Sequence, residues 1–170
     1  SHNPVMLVSK PREDDARDRI LEEDEWERLL DACGKSSVHF LKALVLLARE
    51  TMCRRSEILR ITRYDINFEK GTLHLPKTKN GSPRTIGLSP RAMEILKELP
   101  ISVDGSYFKS PFKSLDNLGN CISKAFARAT KQAGIENFRL HDVRHMAASD
   151  RAMQGWTISE LSAQGGWKSL

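Results

Sequence analysis

The segment Leu140-His-Asp-Val-Arg-His145 decides our interpretation of the fold, because it places a histidine and an arginine three residues apart. At that spacing His141 and Arg144 share one face of a helix, and both side chains can reach a single anion. The alternative interpretation is an ordinary solvated helix face, which this segment alone would favour. Other segments of the chain therefore have to decide between the two.

A second basic segment lies far upstream, at Thr51-Met-Cys-Arg-Arg-Ser-Glu-Ile-Leu59. It places Arg54 and Arg55 at the start of a short helix that we predict over residues 54–61. The unpaired backbone amides of a helix start and the planar donors of a guanidinium group both suit a phosphate. The chain thus contains two separate segments whose chemistry fits one phosphate group.

The remaining hydrophobic pattern predicts an α+β fold that is predominantly helical and has one small antiparallel sheet. Two short strands, Thr72–Leu75 and Arg84–Leu88, flank a basic turn with Asn80-Gly81 at its centre, which is typical of a β-hairpin. Ser36 or Ser37 is expected to cap the second helix. The further predicted helices cover residues 24–34, 38–48, 90–98, 115–133, 141–153 and 157–165.

Two of these helix starts carry specific capping signals. Ser89-Pro90 places a capping hydroxyl before a proline at the first helical position. Thr157 and Glu160 have the spacing of a capping box, in which each side chain accepts a hydrogen bond from the other residue's backbone amide. Both signals predict the residue at which a helix begins.

Length and composition limit the class of protein. The 170 residues, 39% of them hydrophobic, suffice for one compact core. We expect residues 1–20 to form a linker or extended arm that follows a further domain, with Ser1 and His2 as a candidate expression scar. Residues 21–170 are expected to form one domain. The most apolar run, at residues 40–48, is too short to cross a lipid bilayer, so no membrane partner is expected.

Charge and cysteine content point to an intracellular protein with a polyanionic partner. The formal net charge is +5 and the isoelectric point is near 9.2, which favours binding to phosphates. Cys33, Cys53 and Cys121 lack the spacing of a zinc or redox site and indicate a reducing, cytoplasmic compartment. His145 lies one turn after His141, but no third ligand stands at a suitable spacing, so no metal or other cofactor is expected.

Four segments occur in the order found in tyrosine recombinases of the phage integrase family, which this chain resembles along nearly its whole length. They are Arg54-Arg-Ser-Glu-Ile58, the basic hairpin, His141-x-x-Arg144 and Gly165-Gly-Trp-Lys-Ser169. The resemblance implies the catalytic domain of a site-specific DNA recombinase, which cleaves and rejoins DNA by transesterification through a 3′-phosphotyrosyl intermediate. It also implies double-stranded DNA as the partner, a preceding DNA-binding domain and a tetramer on two DNA sites. Accessory DNA-bending proteins are further candidate partners.

The resemblance implies roles for individual residues as well. Arg54 and Arg144 match the family's two arginines, which clamp the scissile phosphate and offset the charge that builds on a pentavalent phosphorus. Lys79 matches the lysine that protonates the departing 5′ oxygen, and Lys77 is the competing candidate. His141 matches the histidine that accepts the proton of the attacking tyrosine or holds the phosphate. A helix-capping histidine is the alternative interpretation.

Two further residues match supporting positions of the family. Trp167 stands where most members have a second histidine, and its indole can donate one hydrogen bond but cannot exchange protons. A buried core tryptophan is the alternative. Glu57 matches a carboxylate that orients an arginine, and the alternative is an ordinary charge on a helix face. We expect additional DNA contacts from a set of basic residues: Arg55, Lys77, Arg84 and Lys168.

The chain departs from the family pattern in two places. Met52 replaces the usual glycine, so the backbone entering Arg54 is expected to avoid a conformation that favours glycine. The nucleophilic tyrosine of the family belongs shortly after residue 169, and neither Tyr64 nor Tyr107 stands in that position. We therefore expect this 170-residue chain to bind DNA without forming a covalent phosphotyrosyl link.

Three other functions stand as alternatives. A non-catalytic DNA-binding regulator with the same fold would not require two arginines, a lysine and a histidine together. A type IB topoisomerase would use the same chemistry but would relax supercoils without strand exchange between two sites. A helical protein-interaction domain would lack DNA affinity that falls steeply with salt.

Overall fold

The structure, a computed structural model, describes residues 19–77, 81–109 and 114–168. Its helices are α1 (Glu23–Gly34), α2 (Leu41–Thr51), α3 (Arg55–Leu59), α4 (Pro90–Glu98), α5 (Leu115–Gln132), α6 (Leu140–Met153) and α7 (Ile158–Gly165). A short 3-10 turn (Arg63–Asp65) precedes strands β1 (Ile66–Asn67), β2 (Thr72–Leu75) and β3 (Arg84–Gly87). The predicted α+β fold, mostly helical with a small antiparallel sheet, is confirmed. No helix in those ranges combines the length and the apolar character needed to span a bilayer.

The sheet has the strand order β1-β2-β3, and both pairings are antiparallel. Thr72 lies opposite Gly87 and Leu75 lies opposite Arg84, as the predicted hairpin requires. Residues 78–80 of its turn lie outside the described residues. The sequence did not predict β1, because two residues are too few to show an alternating pattern.

The two predicted capping signals are confirmed. The Ser89 hydroxyl accepts a hydrogen bond from the Ala92 amide at 3.1 Å, with Pro90 at the first helical position of α4. At α7 the Glu160 amide donates to the Thr157 hydroxyl at 3.1 Å, and the Thr157 amide donates to the Glu160 carboxylate at 2.8 Å. Local sequence chemistry therefore fixes the starts of these two helices.

The predicted serine cap of α2 is wrong. The Ser36 hydroxyl accepts a hydrogen bond from the Val38 amide at 3.1 Å, which closes a local turn instead of capping a helix. The helix begins later, at Leu41, after Phe40, whose side chain makes no capping hydrogen bond. Short-range hydrogen bonding by serine competes with capping, and here the turn prevails.

The third helix is shorter than predicted and begins one residue later. Arg54 is its N-cap residue, and the helix ends at Leu59. The next two amides, of Arg60 and Ile61, each donate to a carbonyl three residues earlier, which tightens the chain into a 3-10 turn. The Arg54 backbone amide, just before the first helical residue, donates to the Glu57 carboxylate at 2.9 Å.

The core is centred on α2, which packs against α1, α3, α4, α5 and α6. Its buried residues are Leu41, Leu44, Val45, Leu47, Ala48 and Thr51. A second, smaller cluster joins Met52, at the end of α2, to Ala147 of α6 and Leu161 of α7. The end of α2 is thus the place where α3, α6 and α7 come together, and these are the helices that carry most of the predicted site residues.

Candidate active site

Three arginine side chains converge on the C-terminal end of α7, at the backbone carbonyls of residues 164–166. Arg84 Nε donates to the first carbonyl at 3.2 Å, Arg144 Nη2 donates to the second, and Arg54 Nη2 donates to the third at 3.0 Å. The last carbonyls of a helix lack helical partners and carry partial negative charge, so guanidinium groups bind there favourably. Because the three carbonyls are consecutive, the three guanidinium groups lie close to one another.

Glu57 is a buried carboxylate that contacts two of these arginines. Its side chain is 1% exposed. Arg84 donates to both carboxylate oxygens, with Nη2 at 3.1 Å from Oε1, and the Arg54 amide donates to Oε1 at 2.9 Å. Burial raises the pKa of Glu57, but the hydrogen bonds from Arg84 and from the Arg54 amide more than offset it and hold the pKa below its usual range. Glu57 is therefore ionised at neutral pH, and it is not a surface charge on a helix face.

Arg144 is held by two backbone carbonyls and an aromatic ring. Its Nε donates to the Met52 carbonyl at 2.7 Å, and its guanidinium carbon lies 3.9 Å from the centroid of the Trp167 ring. Burial and then the positive charge of Arg54 lower the pKa of Arg144 to about 10, so the group stays charged at neutral pH. The carbonyls and the stacked indole together fix the plane of the guanidinium.

Met52 adopts the left-handed conformation, with φ 58° and ψ 17°, so the prediction that this residue avoids it is wrong. Its side chain is fully buried against Ala147 and Leu161, and its carbonyl receives the Arg144 hydrogen bond. These contacts stabilise a conformation that costs a non-glycine residue about 1–2 kcal/mol. The turn that normally uses glycine is therefore retained, and it orients the carbonyl that holds Arg144.

His141 and His145 lie on the exposed side of α6, with their ring centroids 4.6 Å apart. The pKa of His141 is lowered to about 4, first by partial desolvation by surrounding protein atoms and then by electrostatic repulsion from His145 and Arg144. The His141 imidazole is therefore neutral at neutral pH and can accept a proton.

A cavity of about 730 Å³ brings several predicted site residues together. It is lined by Arg54, Arg55, His141 and Arg144, and Arg55 Nη1 donates to the Gly119 carbonyl at 3.0 Å. Much of the remaining lining is apolar and comes from Leu44, Ala48, Ile58, Phe126 and Phe138. The cavity therefore offers charged donors in a partly apolar surrounding, where electrostatic interactions are stronger than in water.

The two glycines before Trp167 are site residues that the sequence indicated only as part of a family motif. A Cβ atom on Gly165 would lie 2.0 Å from the Trp167 ring. Gly166 has φ +72°, and a Cβ there would lie 2.8 Å from the Arg84 guanidinium. Both positions need glycine because the backbone approaches site side chains closely. A Gly-Gly pair directly before a predicted site residue could have signalled this.

The remaining predicted residues lie around this centre or outside the described residues. Trp167 is half-buried and stacks on Arg144, and Lys168 beside it is exposed. Lys77 is exposed just after β2, while Lys79 lies outside the described residues, so its proposed role stays a prediction. The structure therefore brings Arg54, Arg144, His141 and Trp167 of the predicted catalytic set to one place, and leaves the lysine unplaced.

Comparison with known proteins agrees with the family resemblance that the sequence motifs indicated. The sequence profile of the phage integrase family matches residues 19–170. The shufflon-specific DNA recombinase of Escherichia coli is 35% identical over 169 residues, which cover 99% of this chain and 42% of that protein. The chain thus spans less than half the length of this relative.

Solved structures of similar fold include the catalytic domain of bacteriophage HP1 integrase, with a TM-score of 0.66, 26% identity, and coverage of 88% of this chain and 81% of that chain. A lambda integrase tetramer bound to a Holliday junction is also similar, with a TM-score of 0.66, 21% identity, and coverage of 89% of this chain and 47% of that chain.

Proposed function

Because this chain belongs to the phage integrase family, we propose that it is the part of a tyrosine-type site-specific recombinase that binds the scissile phosphate and promotes strand cleavage. The observation that carries the proposal is the convergence of Arg54, Arg144 and His141 on one cavity. Two fixed positive charges and a neutral imidazole match the needs of phosphoryl transfer without a metal.

The two arginines bind the phosphate in this proposal. Arg54 and Arg144 donate to neighbouring carbonyls, so they are close enough to contact two non-bridging oxygens of one phosphate. Their planes are already fixed by protein contacts, which reduces the reorganisation needed as negative charge builds on phosphorus. The Trp167 indole lies over Arg144 and supports its orientation.

Proton transfer accompanies the exchange of phosphorus–oxygen bonds. A tyrosine oxygen attacks phosphorus and forms the 3′-phosphotyrosyl link, while the bond to the 5′ oxygen breaks. His141, neutral at neutral pH, accepts the proton of the tyrosine hydroxyl. Lys79, in the turn of the β2–β3 hairpin, protonates the departing 5′ oxygen. Rejoining is the same sequence in reverse.

Neither tyrosine of this chain is placed to act as the nucleophile. Tyr64 is 74% exposed on the 3-10 turn beside Gly105, and Tyr107 is buried in the main core. We therefore expect the 170-residue chain to bind DNA and form no covalent adduct. A duplex with a nick near the cleavage site, which traps covalent adducts, tests this on a denaturing gel.

The same trapping experiment on the intact recombinase tests the proposed function itself. The intact protein is expected to form the adduct, and Arg54→Ala or Arg144→Ala should lower its rate of formation by about 100-fold or more, because each change removes a charge aimed at the transition state. An intact protein that binds the duplex but never forms an adduct would contradict the proposal.

The partner in this proposal is double-stranded DNA, and the assembly is a tetramer on two DNA sites. A solved relative supports this, since the lambda integrase forms a tetramer on a Holliday junction. Light scattering of the intact recombinase, with and without a pair of sites, tests the assembly, which should reach four protomers only with DNA.

A further inference from the structure

We propose that Arg84 is a positioning residue that holds the candidate active site in its working arrangement, and that it does not bind DNA directly. The inference rests on the proposed recombinase function. It concerns a residue at the first position of β3, which the basic sequence of the hairpin had indicated as a DNA contact.

All three nitrogens of the Arg84 guanidinium are engaged inside the protein. Nε donates to the Gln164 carbonyl at 3.2 Å, Nη1 donates to Glu57, and Nη2 donates to Glu57 at 3.1 Å and lies 3.9 Å from the Cys53 sulfur. With a side chain that is 11% exposed, Arg84 is no more buried than Arg144, which is 3% exposed. It differs in its acceptors, which include a carboxylate, whereas Arg144 donates to backbone carbonyls. A DNA phosphate would have to compete for these donors with a buried carboxylate, so direct DNA binding is unfavourable.

Arg84 joins three elements of the site. It begins β3, pairs with the carboxylate of α3 and contacts the last turn of α7. Because Arg84 also lies opposite Leu75, it fixes the adjoining ends of β2 and β3 relative to the other two elements. These two strand ends are thereby tied to the phosphate-binding region.

The balance of charge around the Glu57 carboxylate links Arg84 to the position of Arg54. Two positive groups face the buried Glu57 carboxylate: Arg84, with two hydrogen bonds, and Arg54, whose Nη1 lies 3.5 Å from Oε1. A buried carboxylate that loses one of two cations is left with uncompensated negative charge, and it therefore attracts the remaining cation more strongly. Without Arg84, the Arg54 guanidinium would therefore turn towards Glu57 and away from a bound phosphate.

Packing at Gly166 adds a steric link. The space next to Gly166 is filled by both guanidinium groups, since a Cβ there would lie 2.8 Å from Arg84 and 3.1 Å from Arg54 Nη1. Loss of Arg84 would open this space and loosen the turn that precedes Trp167. The indole that stacks on Arg144 would then lose part of its support.

The test compares Arg84→Met and Arg84→Lys with wild type in the intact recombinase. The rate of covalent adduct formation on a nicked duplex is measured at saturating protein, and DNA affinity is measured over a range of salt concentrations. Arg84→Met is expected to lower the adduct rate by about 100-fold. Its DNA affinity should change by less than about threefold, and the salt dependence should stay the same, because no phosphate contact is lost.

The double variant Arg84→Met with Glu57→Gln separates positioning from simple loss of a contact. Removing the unpaired carboxylate should release Arg54, so the double variant is expected to react about tenfold faster than Arg84→Met alone. Arg84→Lys keeps the positive charge but loses the bidentate contact with Glu57 and the hydrogen bond to the Gln164 carbonyl. Its adduct rate should lie between those of wild type and Arg84→Met. Arg91→Gln is the matched control, since Arg91 is an exposed arginine paired with Glu94 on α4, and it should react like wild type.

The outcomes are distinct. Weaker DNA binding by Arg84→Met with a smaller salt dependence and a normal rate for the bound complex would show that Arg84 is a DNA contact, and would overturn the inference. A double variant no faster than Arg84→Met would also overturn it. If Arg84→Met does not fold, an unchanged rate for Arg84→Lys overturns it instead. Failure of wild type to form any adduct would count against the proposed function, which is a separate result.

Discussion

Two residues of this site are distinguished by their backbone, either by a left-handed conformation or by close approach to a side chain. Met52 is the first of them. Its left-handed backbone directs its carbonyl at Arg144, while its side chain is fully buried between α6 and α7. The left-handed conformation lowers the stability of the fold, and burial of the side chain raises it. The conformation costs about 1–2 kcal/mol, whereas removing a buried methionine side chain costs about 2–5 kcal/mol.

Substitutions of Met52 are expected to reveal both effects. Met52→Ala loses the packing and keeps the unfavourable conformation, so it should lower the free energy of unfolding by about 2–5 kcal/mol. Met52→Gly loses the same packing but relieves the conformation, so it should be about 1 kcal/mol more stable than Met52→Ala. Urea unfolding of the three proteins measures this. A glycine variant less stable than the alanine variant would contradict the structure.

Gly165 is the second such residue, because its backbone lies directly under the Trp167 ring. Gly165→Ala should displace the indole from Arg144 and lower the adduct rate of the intact recombinase by about tenfold or more. Gly87→Ala is the control, since its site has open space within 4 Å and no positive φ. Equal rates for both variants would show that the contact between Trp167 and Arg144 does not matter.

At the scale of elements, α3, α6 and α7 supply most of the site, and the position of α7 is fixed at its two ends. The α7 start is held by its capping box, and its last carbonyls bind three arginines. On α6, Arg144 is buried, while its neighbours His141 and His145 are exposed. The positions of the exposed imidazoles therefore depend on how the buried part of the helix packs.

The pKa of His141 on α6 gives an element-scale prediction. Its pKa in the folded chain, about 4, lies below the ordinary value of 6.5, so between these pH values the unfolded chain binds a proton that the folded chain does not. Stability should therefore fall as the pH is lowered from 6.5 towards 4, and the fall should be smaller in His141→Gln. NMR titration of the imidazole signals measures the pKa directly.

DNA should reverse this shift. Phosphate charge near His141 favours the protonated ring, so the NMR-measured pKa is expected to rise when a duplex is added. A pKa of 6.5 or above in the free chain would contradict the lowering that desolvation and the neighbouring charges are expected to cause.

On the scale of the whole molecule, the net positive charge of +5 predicts DNA affinity that falls steeply with salt. Lys77, just after β2, and Lys168, just after Trp167, are both exposed, and each is expected to contact a phosphate. Lys77→Gln and Lys168→Gln should each reduce the slope of log affinity against log salt by about 1.

Lys35→Gln is the matched control for these lysines, because Lys35 is an exposed lysine directly after α1 that is paired with Asp31. Fluorescence anisotropy with a labelled duplex measures all three slopes. Equal slopes in every variant would place the DNA on another surface.

Sequence alone predicted the hairpin strands and the starts of α4 and α7, and each rests on a short-range signal, since caps and turns depend on residues within about four positions of each other. The predicted serine cap of α2 failed for the same reason, because a competing turn uses equally local hydrogen bonds. The choice of Arg54, His141 and Arg144 as site residues rests instead on the order of four separated segments that resembles the family pattern, and their catalytic roles stay predictions.

Only the tertiary structure decided the backbone of Met52, the burial of Glu57 and the internal engagement of Arg84. The Arg54 bond to the Gly166 carbonyl joins residues 112 positions apart, and the Arg84 pair with Glu57 spans 27 positions. Whether a basic side chain faces solvent or a buried carboxylate depends on which distant segments pack against it. Local sequence chemistry specified which charged groups are present, and long-range packing specified which of them remain exposed to solvent.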